Sequence, residues 1–242
     1  MPIITNKQTS ETPLECLERI RKEQNIHEEI PMTYAGRLDP LAEGKMIILV
    51  GDECKDKEKY LGLDKTYEIQ VLLGVTTDTG DALGFITNIN REKIVDISEN
   101  LKPSHYVGKF AQEYPAYSSK THNGKQLHEL ARAGELPEVM PTKEVEIFDI
   151  KNLGTSTLTG YDIYLQVVDN INKVKGDFRQ QFILEKWKDF HDKYSKNAFQ
   201  IITLEVKCSS GTYMRALAER LGKDLGVGGM AFSIKRTKLG KF

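Results

Sequence analysis

The chain is short of cysteine, of long apolar runs and of the common cofactor motifs. Its three cysteines, Cys16, Cys54 and Cys208, are odd in number, far apart and without a C-x-x-C spacing. That excludes a disulfide framework and a structural zinc site, and suits free thiols in a reducing cytosol. No stretch approaches the ~18 apolar residues of a membrane span, and the opening Met-Pro-Ile-Ile-Thr-Asn-Lys lacks the apolar core of a secretory signal. A cytoplasmic protein without a membrane partner is therefore expected. There is no G-x-G-x-x-G, no G-x-x-x-x-G-K-[ST], no G-x-S-x-G and no H-E-x-x-H. Asp78 and Asp81 fail the EF-hand pattern and suit turn-forming aspartates. The usual dinucleotide and Walker phosphate cradles are missing.

The charge is nearly balanced, with 34 basic and 35 acidic residues and a net charge of −1. For phosphate binding, clustering matters more than the sum. From Ile201 to Phe242 the sequence carries eight basic and three acidic residues, a local excess of +5. That excess is either a solvated surface or a phosphate-binding face. With 242 residues, 39% of them hydrophobic, the chain can bury a sizeable core. That length means one large domain or two small ones.

Thr12-Pro13 opens a helical pattern through Leu14, Leu17 and Ile20. Met46–Val50 is a short apolar run suited to a buried strand. Thr66–Leu73 alternates, with Tyr67, Ile69, Val71 and Leu73 on one face. Thr76–Asp81 is a turn by its chemistry. Gln126–Ala133 suits a helix ended by Gly134. Val145–Ile150, Tyr161–Val168 and Ala198–Lys207 suit strands. A polar, aromatic helix is expected between Gly176 and Tyr194, with Phe178, Phe182, Leu184 or Glu185, and Trp187 near helical spacing. Another runs from Thr212 to Leu221 and is closed by Gly222. Strict β-α-β alternation is absent, so the expected class is α+β with a mixed, mostly antiparallel sheet.

Three residues stand out for chemistry. Asp39 lies in Gly36-Arg-Leu-Asp-Pro-Leu-Ala-Glu-Gly44, just before a strand. Pro40 biases it out of the helical region. It is either a turn-capping aspartate or a catalytic carboxylate acting as nucleophile or base. Arg215 lies off the Tyr213, Leu217, Leu221 stripe. It either pairs with Glu219 on an exposed face or holds a buried carboxylate ionised, since an adjacent guanidinium lowers an aspartate pKa by ~1–3 units. Tyr67 is either a core tyrosine or a platform for a base that has left its helix.

Four blocks in order resemble the TruB-type tRNA pseudouridine synthase family. They are Gly36–Gly44; Lys65-Thr-Tyr67 with Leu73–Asp81; Tyr117-Ser-Ser with Asn123–Arg132; and Cys208-Ser-Ser-Gly-Thr-Tyr-Met-Arg215. The resemblance spans roughly Thr33 to Gly222. It implies a mixed-sheet α+β core with an RNA-binding cleft, and isomerisation of the T-loop uridine of tRNA (tRNA position 55) to pseudouridine. The base is flipped into a pocket, its glycosidic bond is broken, and C5 joins C1′. Asp39 matches the essential aspartate, Tyr67 the tyrosine stacked on the uracil, and Arg215 the arginine paired with the aspartate. Ile234 falls where an aliphatic residue lines the base pocket. Lys120, Lys125, Lys235 and Arg236 would contact phosphates, with Tyr34 and Arg37 beside the RNA. The partner implied is the T-arm of tRNA, bound by a monomer.

The chain departs from the family pattern in places. A Lys-Pro-x-Gly segment is reduced to Asn6-Lys-Gln-Thr-Ser10. Tyr34 replaces a histidine. Arg37 resembles the Arg-Leu-Asp motif of the pseudouridine synthase families that act on ribosomal RNA. The lysine of a Ser-Ala-x-Lys block falls one position early, at Lys120. Residues 155–196 form an insertion, and the C-terminal RNA-binding appendage of many members is expected to be absent. Two other readings follow: the same chemistry on another RNA such as ribosomal RNA, or a non-catalytic tRNA-binding or folding module.

Overall fold

A computed structural model describes residues 2–90 and 101–242. The chain enters through β1 (Ile3–Lys7) and α1 (Pro13–Glu23). Thr12 caps α1, and its hydroxyl and the Glu15 carboxylate exchange hydrogen bonds with each other's backbone. Cys16, Leu17 and Ile20 face the core, whereas Leu14 is 59% exposed and drops out of the expected stripe. Next come β2 (Met32–Ala35) and β3 (Glu43–Val50), with the Asp39 loop between them. A short α2 (Lys57–Leu61) leads to β4 (Lys65–Leu73). The hairpin β5 (Val75–Thr77) and β6 (Ile86–Ile89) encloses the expected turn at Asp78–Gly80.

After the gap, β7 (Gly108–Glu113) is followed by the small β8–β9 ladder (Thr121–His122 with Lys125–Gln126) and α3 (Leu127–Ala133). Gly134 ends α3 in the left-handed region, as expected. The strand expected at Val145–Ile150 is one part of a long β10 (Thr142–Thr159). The strand expected at Tyr161–Val168 is instead α4 (Gly160–Lys173). Thr159 and Asp162 form a capping box there, and Ile163, Val167 and Ile171 recur at helical spacing and are buried. Tyr161 and Leu165, which made the sequence look alternating, are 50% and 47% exposed. Next, α5 (Gln180–Tyr194) buries Ile183, Trp187 and Phe190, while Phe182 points outward.

The chain closes with β11 (Ala198–Cys208), α6 (Met214–Asp224) and β12 (Gly229–Leu239). Gly222 does not end α6 but lies inside it. A Cβ there would stand 2.2 Å from the Gly229 amide nitrogen, so the glycine permits close packing of α6 on β12.

The main sheet runs β1-β3-β12-β4-β11-β10-β7, with β2 also on β3. Its ladders are antiparallel except β12 with β3, which is parallel at Lys235↔Glu43 and Arg236↔Gly44. The mixed, mostly antiparallel α+β architecture is the expected one. Tyr67, Ile69, Val71 and Leu73 line one face with Ile202, Leu204 and Val206, and pack against Leu217 and Leu221 of α6. Leu72, Phe199, Ile201, Met230 and Phe232 belong to the other face, covered by Ile163, Val167, Ile171, Ile183, Trp187 and Phe190 of the α4–α5 hairpin. Each large side chain so buried contributes roughly 1.5–3 kcal/mol. The α4–α5 hairpin thus covers the second face of the sheet. Among the described residues no helix is long and apolar enough to cross a membrane.

Candidate active site

The β2–β3 loop hangs on buried cations. Arg236, 1% exposed, donates from Nε to the Lys45 carbonyl at 2.7 Å, from Nη1 to Arg37 at 3.3 Å and from Nη2 to Gly36 at 3.1 Å. Its guanidinium is spent on backbone, so the expected phosphate contact at Arg236 is corrected to a loop anchor. Gly44, at φ +107°, brings β3 so close to β12 that a Cβ would lie 2.3 Å from the Arg236 carbonyl oxygen. From the other side, the Lys7 ammonium donates to the carbonyls of Gln8 (2.9 Å), Pro40 (3.0 Å) and Glu11. Burial pulls the Lys7 pKa down to about 8. The Ser10 amide adds a 2.9 Å bond to the Pro40 carbonyl. The shortened Asn6–Ser10 segment thus pins the residue that follows Asp39.

Asp39 projects from this loop with its side chain 38% exposed. Arg215, at 3% side-chain exposure, meets it from the first turn of α6. Nε donates to Asp39 Oδ2 at 2.8 Å, and Nη2 to Oδ1 at 3.3 Å. Nη1 donates to the Thr79 carbonyl at 2.7 Å, and Nη2 also reaches the Tyr117 carbonyl at 3.2 Å. The arginine therefore turns inward and makes a bidentate pair with Asp39, rather than lying on an exposed face with Glu219. Arg215 does pair with a carboxylate, but the Asp39 side chain is 38% exposed rather than buried.

The start of α6 is itself held. Gln112 of β7 accepts from the Tyr213 amide at 2.8 Å and donates to the Tyr213 carbonyl at 3.3 Å. The Tyr213 ring meets Tyr114 edge-on at 5.8 Å, and burial raises its hydroxyl pKa, helped by the charge of Asp39.

A second carboxylate faces the arginine. Asp81 Oδ2 lies 3.7 Å from Arg215 Nε, and Asp81 is 6% exposed. Its Oδ1 accepts from the Thr79 hydroxyl at 2.8 Å and the Leu83 amide at 2.9 Å. Burial pushes its pKa up against the pull of Arg215. Sequence reasoning placed Asp81 only in a turn. It follows the turn, bridges in parallel to Ala231 of β12, and is also part of the charge cluster. The closely spaced polar residues of Thr76–Asp81 carried no signal that one carboxylate points inward.

Tyr67, 6% exposed, sits in one apolar cluster with Leu38 and Ile234. Burial raises its hydroxyl pKa; Arg236 opposes and the charge of Asp39 reinforces the rise. The remaining expected contacts are dispersed. Arg37 is exposed beside Asp39. Tyr34 is half-buried against the α1 cluster, with Lys57 Nζ 5.8 Å from its ring centroid. Lys120 is exposed, 5.3 Å from the Tyr114 ring centroid. Lys125 pairs with Glu135 at 3.1 Å and Lys235 with Glu43 at 3.6 Å, in exposed positions. Such pairs are weak and give way to a phosphate at little cost.

Residues 24–170 match the family described as TruB family pseudouridylate synthase, N-terminal domain. The chain belongs to the TruB family. The TruB match takes in Asp39, Tyr67, Asp81 and Tyr117 but stops before Arg215. Two curated relatives carry the name tRNA pseudouridine synthase B. The protein of Thermosipho melanesiensis is 31% identical over 96% of this chain and 61% of its own length. That of a Nostoc species is 31% identical over 96% of this chain and 64% of its own. The chain thus spans about three-fifths of these TruB relatives. Among solved structures, the Cbf5-Nop10-Gar1 complex includes a chain that aligns over all of this one and 49% of itself, with a TM-score of 0.56 and 16% identity. That likeness shows the fold.

Proposed function

We propose that the chain isomerises the T-loop uridine of tRNA, at tRNA position 55, to pseudouridine. The Asp39–Arg215 pair carries the reading. It places a half-exposed carboxylate, fixed through both oxygens, beside a buried tyrosine, in a chain whose relatives are named tRNA pseudouridine synthase B. A uridine inside an RNA stack is out of reach, so the nucleotide must be flipped at a cost of about a few kcal/mol, offset by stacking in the pocket. Tyr67, Leu38 and Ile234 supply the apolar side of that pocket. In the reaction the C1′–N1 bond breaks, the uracil turns, the C1′–C5 bond forms, C5 loses its proton and N1 gains one. Asp39 serves either by covalent attack or by abstracting a sugar proton to give a glycal. Both roles need the carboxylate aimed by Arg215. Arg37, Lys120, Lys125 and Lys235 are exposed cations suited to the phosphates, giving salt-sensitive affinity. On the family resemblance, the protein works as a cytoplasmic monomer without metal or cofactor.

The test is tritium release from unmodified tRNA labelled at C5 of its uridines, with wild type and Asp39→Ala. Wild type should release tritium. Asp39→Ala should release none while binding tRNA within about threefold of wild type. Failure of the wild type to release from tRNA, with binding retained, would sink this reading and turn the search to ribosomal RNA or to a binding module.

A further inference from the structure

The α4–α5 hairpin reaches the loops behind the proposed catalytic pair through Arg179. Arg179 stands at the N-terminus of α5, 18% exposed. Its Nη1 donates to Asp78 Oδ2 at 2.7 Å and to the Tyr117 hydroxyl at 2.7 Å. The guanidinium carbon lies 4.2 Å from the Tyr117 ring centroid and 4.5 Å from that of Phe85. Arg215 is held by two backbone carbonyls from two separate loops, those of Thr79 and Tyr117. Arg179 grips the same two loops, at Tyr117 itself and at Asp78, the neighbour of Thr79. Asp78 passes the grip on, since its Oδ1 accepts from the Phe85 amide at 2.7 Å. The backbone of Arg179 is left-handed at φ +65°, a conformation disfavoured for a residue with a Cβ and held here by its contacts.

We infer that Arg179 is a positioning residue: the α4–α5 hairpin uses it to lock together the two loops that aim Arg215 at Asp39. The inference rests on the reading of that pair as catalytic. A second tie of the hairpin, Arg132 to Asp177 at 3.1 Å, is more exposed, and the Arg132 side chain hydrogen-bonds only Asp177 among the described residues. Asp177 also accepts from the Arg179 amide at 3.1 Å, a bond that Arg132→Gln leaves in place, so that variant serves as a control. A phosphate contact is the competing role for Arg179. It is disfavoured because the guanidinium is sandwiched and already bonded.

The test uses the full chain and four variants: Arg179→Met, Arg179→Lys, Tyr117→Phe and Arg132→Gln. Single-turnover tritium release at saturating enzyme reads the chemical step. Affinity for unmodified tRNA is measured against salt, and the Arg215 Nε–H resonance is followed by nitrogen-15 NMR. Arg179→Met should slow the saturated rate about 10- to 100-fold, as small misplacements of reacting groups do. Its affinity should stay within about twofold and its salt slope unchanged. Arg179→Lys should recover the rate only partly, because an ammonium cannot stack between two rings as the planar group does. Tyr117→Phe should be slowed less, and Arg132→Gln not at all. The Arg215 resonance should shift or broaden in Arg179→Met.

A saturated rate within twofold of wild type in Arg179→Met overturns the inference. So does weaker binding with a shallower salt slope at unchanged saturated rate, which would make Arg179 a phosphate contact. If Arg179→Met does not fold, Tyr117→Phe decides, and a wild-type rate there overturns it. If wild type releases no tritium, the reading of function has failed. The NMR arm still judges Arg179, and an unaltered Arg215 resonance in Arg179→Met then counts against it.

Discussion

Replacing Arg215 with lysine keeps the charge and removes the fork, and the structure sets the size of the effect. The guanidinium makes four hydrogen bonds, two to Asp39 and one each to the carbonyls of Thr79 and Tyr117. A lysine ammonium is a single point with a shorter reach. If it stays on Asp39, both carbonyls lose their donor. A buried acceptor left unmade costs about 1–3 kcal/mol, so two cost roughly 2–6 kcal/mol. For a chain of this size each kcal/mol lowers Tm by about 2–4 °C. Arg215→Lys should therefore melt about 4–24 °C lower yet fold well below that point. Turnover should fall about 100-fold, because Asp39 is no longer aimed through both oxygens. Single-turnover tritium release from C5-labelled tRNA, measured at 20 °C beside a thermal melt, reads both quantities. A rate within threefold of wild type, with the Tm unchanged, would refute the argument that the fork is what matters.

Two further perturbations test the frame around the pair. Gly44→Ala forces a Cβ to within 2.3 Å of the Arg236 carbonyl at φ +107°, whereas Gly51→Ala, at φ +62°, meets nothing within 4 Å. Urea unfolding should show a loss of about 2–5 kcal/mol at Gly44 against about 1–2 at Gly51; equal losses would mean that the close approach of β3 to β12 is not needed. Lys7 has its pKa lowered by burial from the ordinary 10.5 to about 8. Between those values the unfolded chain holds a proton that the folded chain has released, so this group's contribution to stability rises with pH. The 2.5-unit gap corresponds to about 3 kcal/mol. Wild type should gain that much on Lys7→Met between pH 8 and 10.5; a difference that stays flat, or moves the other way, would place Lys7 in water rather than beneath the Pro40 carbonyl.

Local rules served where a segment answers only to itself. The alternation of Thr66–Leu73 puts Tyr67 on the core face whatever surrounds it, and Gly134 ends α3 because only the left-handed region lets the chain turn there. Asp39 drew notice through Pro40 and the two glycines around it. The same rules failed at Tyr161–Val168, where alternation and helical spacing coexist in the same letters. There the capping box at Thr159 and burial against Phe199 and Met230 decide for the helix. Leu14 and Phe182 were misplaced because periodicity marks a stripe without saying where it ends.

The α+β class and the family blocks were legible in the sequence, which also singled out Asp39, Tyr67 and Arg215 as candidates. Each of these depends on residue type and spacing along the chain. Only the tertiary structure decided what each cation does. Arg215 and Arg236 lie in the same basic C-terminal stretch, yet one grips Asp39, whereas the other grips two carbonyls of the loop that carries it and one of β3. Asp81 and Arg179 gained their places from loops brought together across more than a hundred residues. The reason is physical. A charge is satisfied by whatever lies within about 3 Å of it, and that neighbour is chosen by the fold of the whole chain.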